Sequence, residues 1–154
     1  WSLAELKEMA KVAQDCGVVL LEQPVHADRD AGLADFDSPI PLCADEACHT
    51  RDTLDHVMGR YTFINIKLDK TGGLTEGLAL AEEAERRGLG IMVGCTNGTT
   101  QAMAPGFLIA QYCTYVDLDS PIYLPPEKAP DIAYDGSIVH WAKTRNWGLP
   151  AAPR

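Results

Sequence analysis

No stretch of this 154-residue chain approaches the roughly 20 consecutive apolar residues that a membrane-spanning helix needs, so no membrane partner is expected. Basic residues are scarce: 13 Lys and Arg stand against 22 Asp and Glu, a formal charge of -9. Nucleic acid is excluded as a partner, because phosphate binding needs clustered Lys and Arg, whereas an acidic surface suits a site that attracts cations. Neither a basic n-region nor an apolar h-region opens the chain, so no signal peptide is read, and a start at Trp1 rather than Met implies a preceding segment. The five cysteines are odd in number and show no framework spacing, which points to a reducing cytoplasm. Cys43-x4-Cys48-His49 has no second ligand pair at finger-like spacing, so zinc is not expected.

What the chain does have is the composition of a globular protein (46% apolar, 23% charged) and a regular alternation of strand and helix patterns. Ser2 caps a helix running to residue 15, with Glu5 at the capping-box position and Gly17 as its stop. Val18-Val19-Leu20-Leu21 reads as a short buried strand ending at Glu22. A short helix is expected over 30–36, and Ile40-Pro41-Leu42-Cys43-Ala44 leads to Asp45. A helix over 50–57 follows, and Phe63-Ile64-Asn65-Ile66 runs into Lys67. A long helix over 74–87 precedes Ile91-Met92-Val93, which ends at Gly94-Cys95, and a helix over 101–111 precedes Tyr115-Val116 and Asp117. Beyond Pro121 a proline-rich loop through Pro125, Pro126 and Pro130 leads to a hairpin over 134–139, turned at Asp135-Gly136.

The polar residues that close the strands lie 23, 22, 27 and 23 residues apart (Glu22, Asp45, Lys67, Gly94, Asp117). Such repeats imply parallel pairing through crossover helices, and polar groups on every strand end favour a barrel over an open doubly wound sheet. A full barrel takes about 250 residues, so five strands make a partial one with exposed edges. Glu22 and Asp45, ending adjacent strands, suit a hard cation such as Mg²⁺, although each also suits a loop cap. Lys67, in the partly buried mouth, is placed for a general base whose pKa is lowered by burial and a nearby cation, or for an ion pair with those carboxylates. Asp117 and Asp119 share one side of an extended chain and suit a substrate ammonium, or turn chemistry before Ser120-Pro121. Lys70-Thr71-Gly72-Gly73 precedes a helix and offers backbone N–H groups, but lacks Walker spacing. The four histidines have no nucleophile partner at recognisable spacing, and Trp1, Trp141 and Trp147 read as packing anchors.

In order along the chain, Leu21-Glu22-Gln23-Pro24-Val25, Ala44-Asp45-Glu46, the run from Asn65-Ile66-Lys67 through Lys70-Thr71-Gly72-Gly73-Leu74, Gly94-Cys95 and Asp117-Leu118-Asp119 resemble the muconate-lactonizing subgroup of the enolase superfamily. Within it they are most similar to the dipeptide epimerases of the Ala-Glu epimerase type. The resemblance implies an α/β fold, the C-terminal part of a (β/α)7β TIM-type barrel. Residues 1–121 would belong to the barrel and 122–154 to a segment returning toward a capping domain. It further implies a racemase or epimerase that moves the α-proton of a dipeptide between two lysines through an enediolate, with Mg²⁺ as cofactor. Glu22 and Asp45 match the second and third metal ligands and Lys67 one of the two bases. Asp117 and Asp119 match the residues that receive the dipeptide ammonium, with Cys95 beside the substrate and Lys70 behind the ligands. The first metal ligand and the other base would precede residue 1, so this chain by itself is expected to be inactive and to need that half or self-association. The run Thr96-Asn97-Gly98-Thr99 departs from the family pattern after Cys95 and leaves side-chain preference open. Cycloisomerase or o-succinylbenzoate synthase chemistry is the same-fold alternative; a non-catalytic truncated module is another.

Overall fold

A computed structural model describes residues 1–126 and 131–141. Pro130, Trp147 and the rest of 142–154 lie outside the described residues. The chain opens with helix α1 (Leu3–Asp15), and its start is the capping box expected of Ser2 and Glu5. Ser2 Oγ accepts the Glu5 N–H, and Glu5 Oε2 accepts from the Ser2 N–H at 2.7 Å. Two N–H groups that the first helical turn leaves unpaired are thereby satisfied. Gly17, at φ 78°, turns the chain out of the helix, a left-handed conformation that glycine adopts without a Cβ penalty.

Five strands follow: β1 (Leu21–Glu22), β2 (Leu42–Ala44), β3 (Phe63–Ile66), β4 (Gly90–Val93) and β5 (Tyr115–Val116). They pair in parallel in the order β1-β2-β3-β4-β5, so each strand lies beside its predecessor. The connections are α2 (Leu54–Val57), a single turn α3 (Leu68–Thr71), α4 (Leu74–Arg86) and α5 (Thr100–Ile109), with 3-10 segments at Ala27–Asp35, Arg51–Thr53 and Ala110–Tyr112. The sheet is the open, partial barrel read from the marker spacing. Alternation along β3 divides the side chains: Ile64 and Ile66 are fully buried among Leu80, Ala84, Ile91 and Val93, while Asn65 and Lys67 face the other way. On that opposite face the Phe63 ring lies over Gly90, where a Cβ would stand 2.3 Å from it, and tilts against Tyr115 at 5.5 Å.

Two local expectations are corrected. Val18 and Val19 are 39% and 61% exposed rather than strand core, because regular pairing begins only at Leu21 and, among the described residues, no strand lies on the outer side of β1. Trp1 is half exposed and so is not a packing anchor, whereas Trp141 meets Phe107 edge to face at 4.9 Å.

The hairpin of β6 (Ile132–Asp135) and β7 (Ile138–Trp141) is present, with Asp135 paired to Ile138. Gly136-Ser137 therefore forms the two-residue loop, one position later than expected, with Gly136 at φ 59° supplying the positive angle such a turn requires. The hairpin packs back on the barrel segment: Ile132 joins the core and Tyr134 Oη donates to the Leu118 carbonyl at 2.5 Å. Among the described residues no helix is long and apolar enough to cross a membrane.

Candidate active site

In a parallel sheet the strand ends of one polarity all open on one rim, and the marked residues collect there because each follows its strand directly. Glu22 is the last residue of β1, Asp45 follows β2, Lys67 follows β3, Gly94 follows β4 and Asp117 follows β5. Glu22 and Asp45 converge as expected. Lys67 Nζ donates to Asp45 Oδ2 at 2.7 Å and stands 3.7 Å from Glu22 Oε1, so one ammonium faces both carboxylates. Lys70, on α3, reaches the same aspartate from the other side. Its Nζ donates to Asp45 Oδ1 at 2.5 Å and touches the carbonyls of Asp45, Cys48 and Asn65. Lys70 is thus a tether of Asp45 and its loop rather than part of a phosphate loop.

The charges respond to this packing. Burial works to raise the Asp45 carboxyl, but hydrogen bonds from Lys67 and then Lys70 outweigh it and hold it below the usual range. Burial raises Glu22, with Asp45 adding to the rise and the Asn65 hydrogen bond opposing it. Among the protein's own groups, burial works to lower the Lys67 pKa as expected, yet pairing with Asp45 and attraction to Glu22 prevail and raise it. The ion-pair alternative for Lys67 is therefore the arrangement seen.

Glu22 and Asp45 offer only oxygen donors around a point where a cationic group already sits, which fits a hard divalent cation and does not fit a soft one. On the far side of the rim Cys95 Sγ and carboxylate oxygens of Asp117 and Asp119 lie within 4.8 Å of one another. Asp117 is raised by burial and then by the charge of Asp119, the signature of a carboxylate pair that a cation would relieve. Burial raises the Cys95 thiol too. The departing run after Cys95 is tied down: Thr96 Oγ1 donates to Asp69 at 2.7 Å, and the Gly98 N–H donates to Ser120 Oγ at 2.9 Å.

Three supporting residues went unmarked in the sequence. Asn65, 1% exposed, donates from Nδ2 to Glu22 Oε1 at 2.6 Å. The signal was there, since Asn65 precedes Lys67 by two and strand alternation puts both on one face. Gln23 belonged to a quoted motif, but its left-handed φ of 37° could not be read from it. Asp30, 1% exposed in an irregular 3-10 stretch, gave no signal at all.

The profile of the family described as enolase C-terminal domain-like matches residues 1–135. The chain belongs to that family. It is 43% identical over 148 residues to an N-acetyl-D-glutamate racemase of a Pseudoalteromonas species, covering 96% of this chain and 47% of that one. It is 42% identical over 140 residues to the L-Ala-D/L-Glu epimerase of Escherichia coli, covering 91% and 44% respectively. A crystal structure of an enolase family member from Agrobacterium tumefaciens, with homology to dipeptide epimerases and with bound sodium and L-Ala-L-Glu, superposes with a TM-score of 0.91. That structure shares 44% identity and covers 96% of this chain and 45% of its own. The chain spans about half the length of these relatives, of which the first two are a racemase and an epimerase.

Proposed function

We propose that this chain supplies the Lys67-bearing half of the active site of a dipeptide epimerase. In this reading Lys67 takes or returns the α-proton on one face of the substrate, a second lysine outside this chain serves the opposite face, and an enediolate lies between. Glu22 and Asp45, with a third ligand outside this chain, would hold a Mg²⁺ ion, which would supply positive charge where negative charge develops on the substrate carboxylate. Lys70 keeps the Asp45 carboxylate aimed at the rim. Asp117 and Asp119 receive the α-ammonium, and Cys95 closes that end of the mouth. Residues 122–126 and the hairpin would begin a return toward a capping domain, and the five free thiols suit a cytoplasmic enzyme.

The observation that carries the choice of dipeptides is the Asp117–Asp119 pair. Two carboxylates side by side, Asp117 exposed and Asp119 partly buried, repel one another without a cation, and a dipeptide provides one while an N-acylated amino acid does not. The identity with an N-acetyl-D-glutamate racemase makes N-acyl amino acids the second reading. The intact enzyme carrying this segment would be incubated in deuterated water with a dipeptide library, N-acetyl-glutamate and muconate, and α-deuterium read by mass spectrometry. Dipeptides are expected to exchange. Asp117→Asn and Asp119→Asn should weaken their binding by about 2–5 kcal/mol if the contact is desolvated. Exchange of N-acetyl-glutamate alone would replace the dipeptide reading with the second one, and turnover of muconate alone would leave only the superfamily.

A further inference from the structure

Directly behind Glu22 and Asp45 lies a partly buried polar chain that none of the roles above uses. Gln23 follows Glu22 and holds a left-handed backbone, uncommon for any residue other than glycine and sustained only where surroundings over-determine it. The surroundings are its own amide contacts. Oε1 accepts the Asp45 N–H at 2.8 Å and the Ala47 N–H at 3.0 Å, and Nε2 donates to the Val25 carbonyl at 2.9 Å and to Tyr61 Oη at 2.8 Å. Every donor and acceptor of the amide is used, and a flipped amide would set N–H groups against two backbone N–H groups. Tyr61 passes its own proton to Asp30 Oδ2 at 3.1 Å. Asp30 is fixed in turn by Arg60 at 2.7 Å and His56 at 3.1 Å.

We propose that Gln23 and Tyr61 are positioning residues: a strut, footed on Asp30, that sets the Asp45 backbone and so the direction of its metal-facing carboxylate. The inference rests on the proposed metal role of Asp45. Asp45 is then gripped from two directions, its N–H by Gln23 and its carboxylate and carbonyl by Lys70. The grip also ties Glu22 to Asp45, because Gln23 is covalently next to one and hydrogen-bonded to the other. The two carboxylates must keep a fixed separation to share an ion, and the strut measures that separation from behind. Tyr61 is buried, and its hydroxyl is kept protonated by burial and by the Asp30 charge, so it remains a donor.

The test uses the intact enzyme carrying this segment with Mn²⁺ as the probe, its dissociation constant read by electron paramagnetic resonance beside kcat, KM and melting temperature. Gln23→Met keeps the side-chain length and removes all four hydrogen bonds. Tyr61→Phe removes only the hydroxyl and still decides the matter if Gln23→Met fails to fold. Mn²⁺ binding should weaken by roughly 10–100-fold in Gln23→Met, the range seen when a group behind a metal ligand is removed. Tyr61→Phe should show a smaller loss in the same direction. In both, kcat should fall while KM for dipeptide holds, since Asp117 and Asp119 are untouched, and the double variant should be no worse than Gln23→Met. Unchanged Mn²⁺ affinity in a folded variant, or a lowered melting temperature alone, overturns the inference. Wild type that fails to bind Mn²⁺ overturns the metal role and the strut together. Wild type that binds Mn²⁺ but turns over no dipeptide sinks only the substrate assignment, and the Mn²⁺ comparison still decides the strut.

Discussion

A methyl group added at Gly94 would stand 2.6 Å from both polar atoms of the Asn65 amide. Gly94 is not at a positive φ, so Gly94→Ala brings no backbone strain, and its whole effect is steric. The amide has little room to yield, being 1% exposed and committed to Glu22 at 2.6 Å. Either the overpacking is endured or Asn65 swings away and releases Glu22. Overpacking costs about 1–3 kcal/mol. A hydrogen bond to a charged group is worth about 1.5–3 kcal/mol, taken at its low end here because Glu22 is itself partly exposed. The two are alternatives, so the expected loss is about 1–3 kcal/mol by the overpacking route or its equivalent. Urea denaturation of the intact enzyme measures it. The deciding comparison is the same substitution in an Asn65→Ala background. There the obstructing amide is gone, and Gly94→Ala should become neutral or stabilising by about 0.4–1 kcal/mol through the reduced entropy of the unfolded chain. Equal cost in both backgrounds would refute the reasoning, because it would mean that the methyl group meets something other than Asn65.

Lys67→Ala in the intact enzyme should abolish α-proton exchange in the one stereochemical direction for which Lys67 is the base, while exchange from the opposite face survives; α-deuterium in each of the two epimeric dipeptides reads this, and equal loss in both directions would point to a collapsed site. Glu83 is held down to about 2 by hydrogen bonds from Arg86 and Arg87. A depressed carboxylate contributes stability above its unfolded pKa and loses it as pH falls through the folded value, so the contribution should fade from about pH 4.5 toward pH 2 and be missing in Glu83→Gln, as urea midpoints against pH will show. Among the described residues β1 and β5 are unpaired sheet edges, so the 154-residue chain by itself should self-associate and show no turnover; sedimentation revealing a compact monomer that folds cooperatively would contradict this.

Five strand positions, the long helices and the capping box were legible because they rest on signals local to a few residues. Apolar runs closed by Glu22, Asp45, Lys67, Gly94 and Asp117 repeat at nearly constant spacing, and that spacing needs no tertiary information. The convergence of Glu22 with Asp45, and of Asp117 with Asp119 and Cys95, follows from parallel pairing once the strands are placed. What escaped depends on partners distant in sequence. Val18 and Val19 carry a strand pattern, but pairing decides exposure. The one-turn α3 is too short for periodicity to register, although it is what aims Lys70 at Asp45. Asp30 looks like any surface aspartate until Arg60, His56 and Tyr61 are folded around it. The balance at Lys67 between burial, which lowers its pKa, and the carboxylates of Asp45 and Glu22, which both raise it, depends on distances of 2.7 and 3.7 Å that sequence does not supply.

The strand order β1-β2-β3-β4-β5 has a kinetic meaning as well. Every pairing joins a strand to the one made just before it, so no contact in the sheet waits for a distant part of the chain. Loop closure is then short at each step, and assembly can proceed by accretion, one strand and helix at a time, as in repeat architectures. Damage should spread by the same rule. A lesion in β4 weakens its neighbours β3 and β5 first and reaches β1 last, so hydrogen-exchange protection should fall off with distance along the strand order.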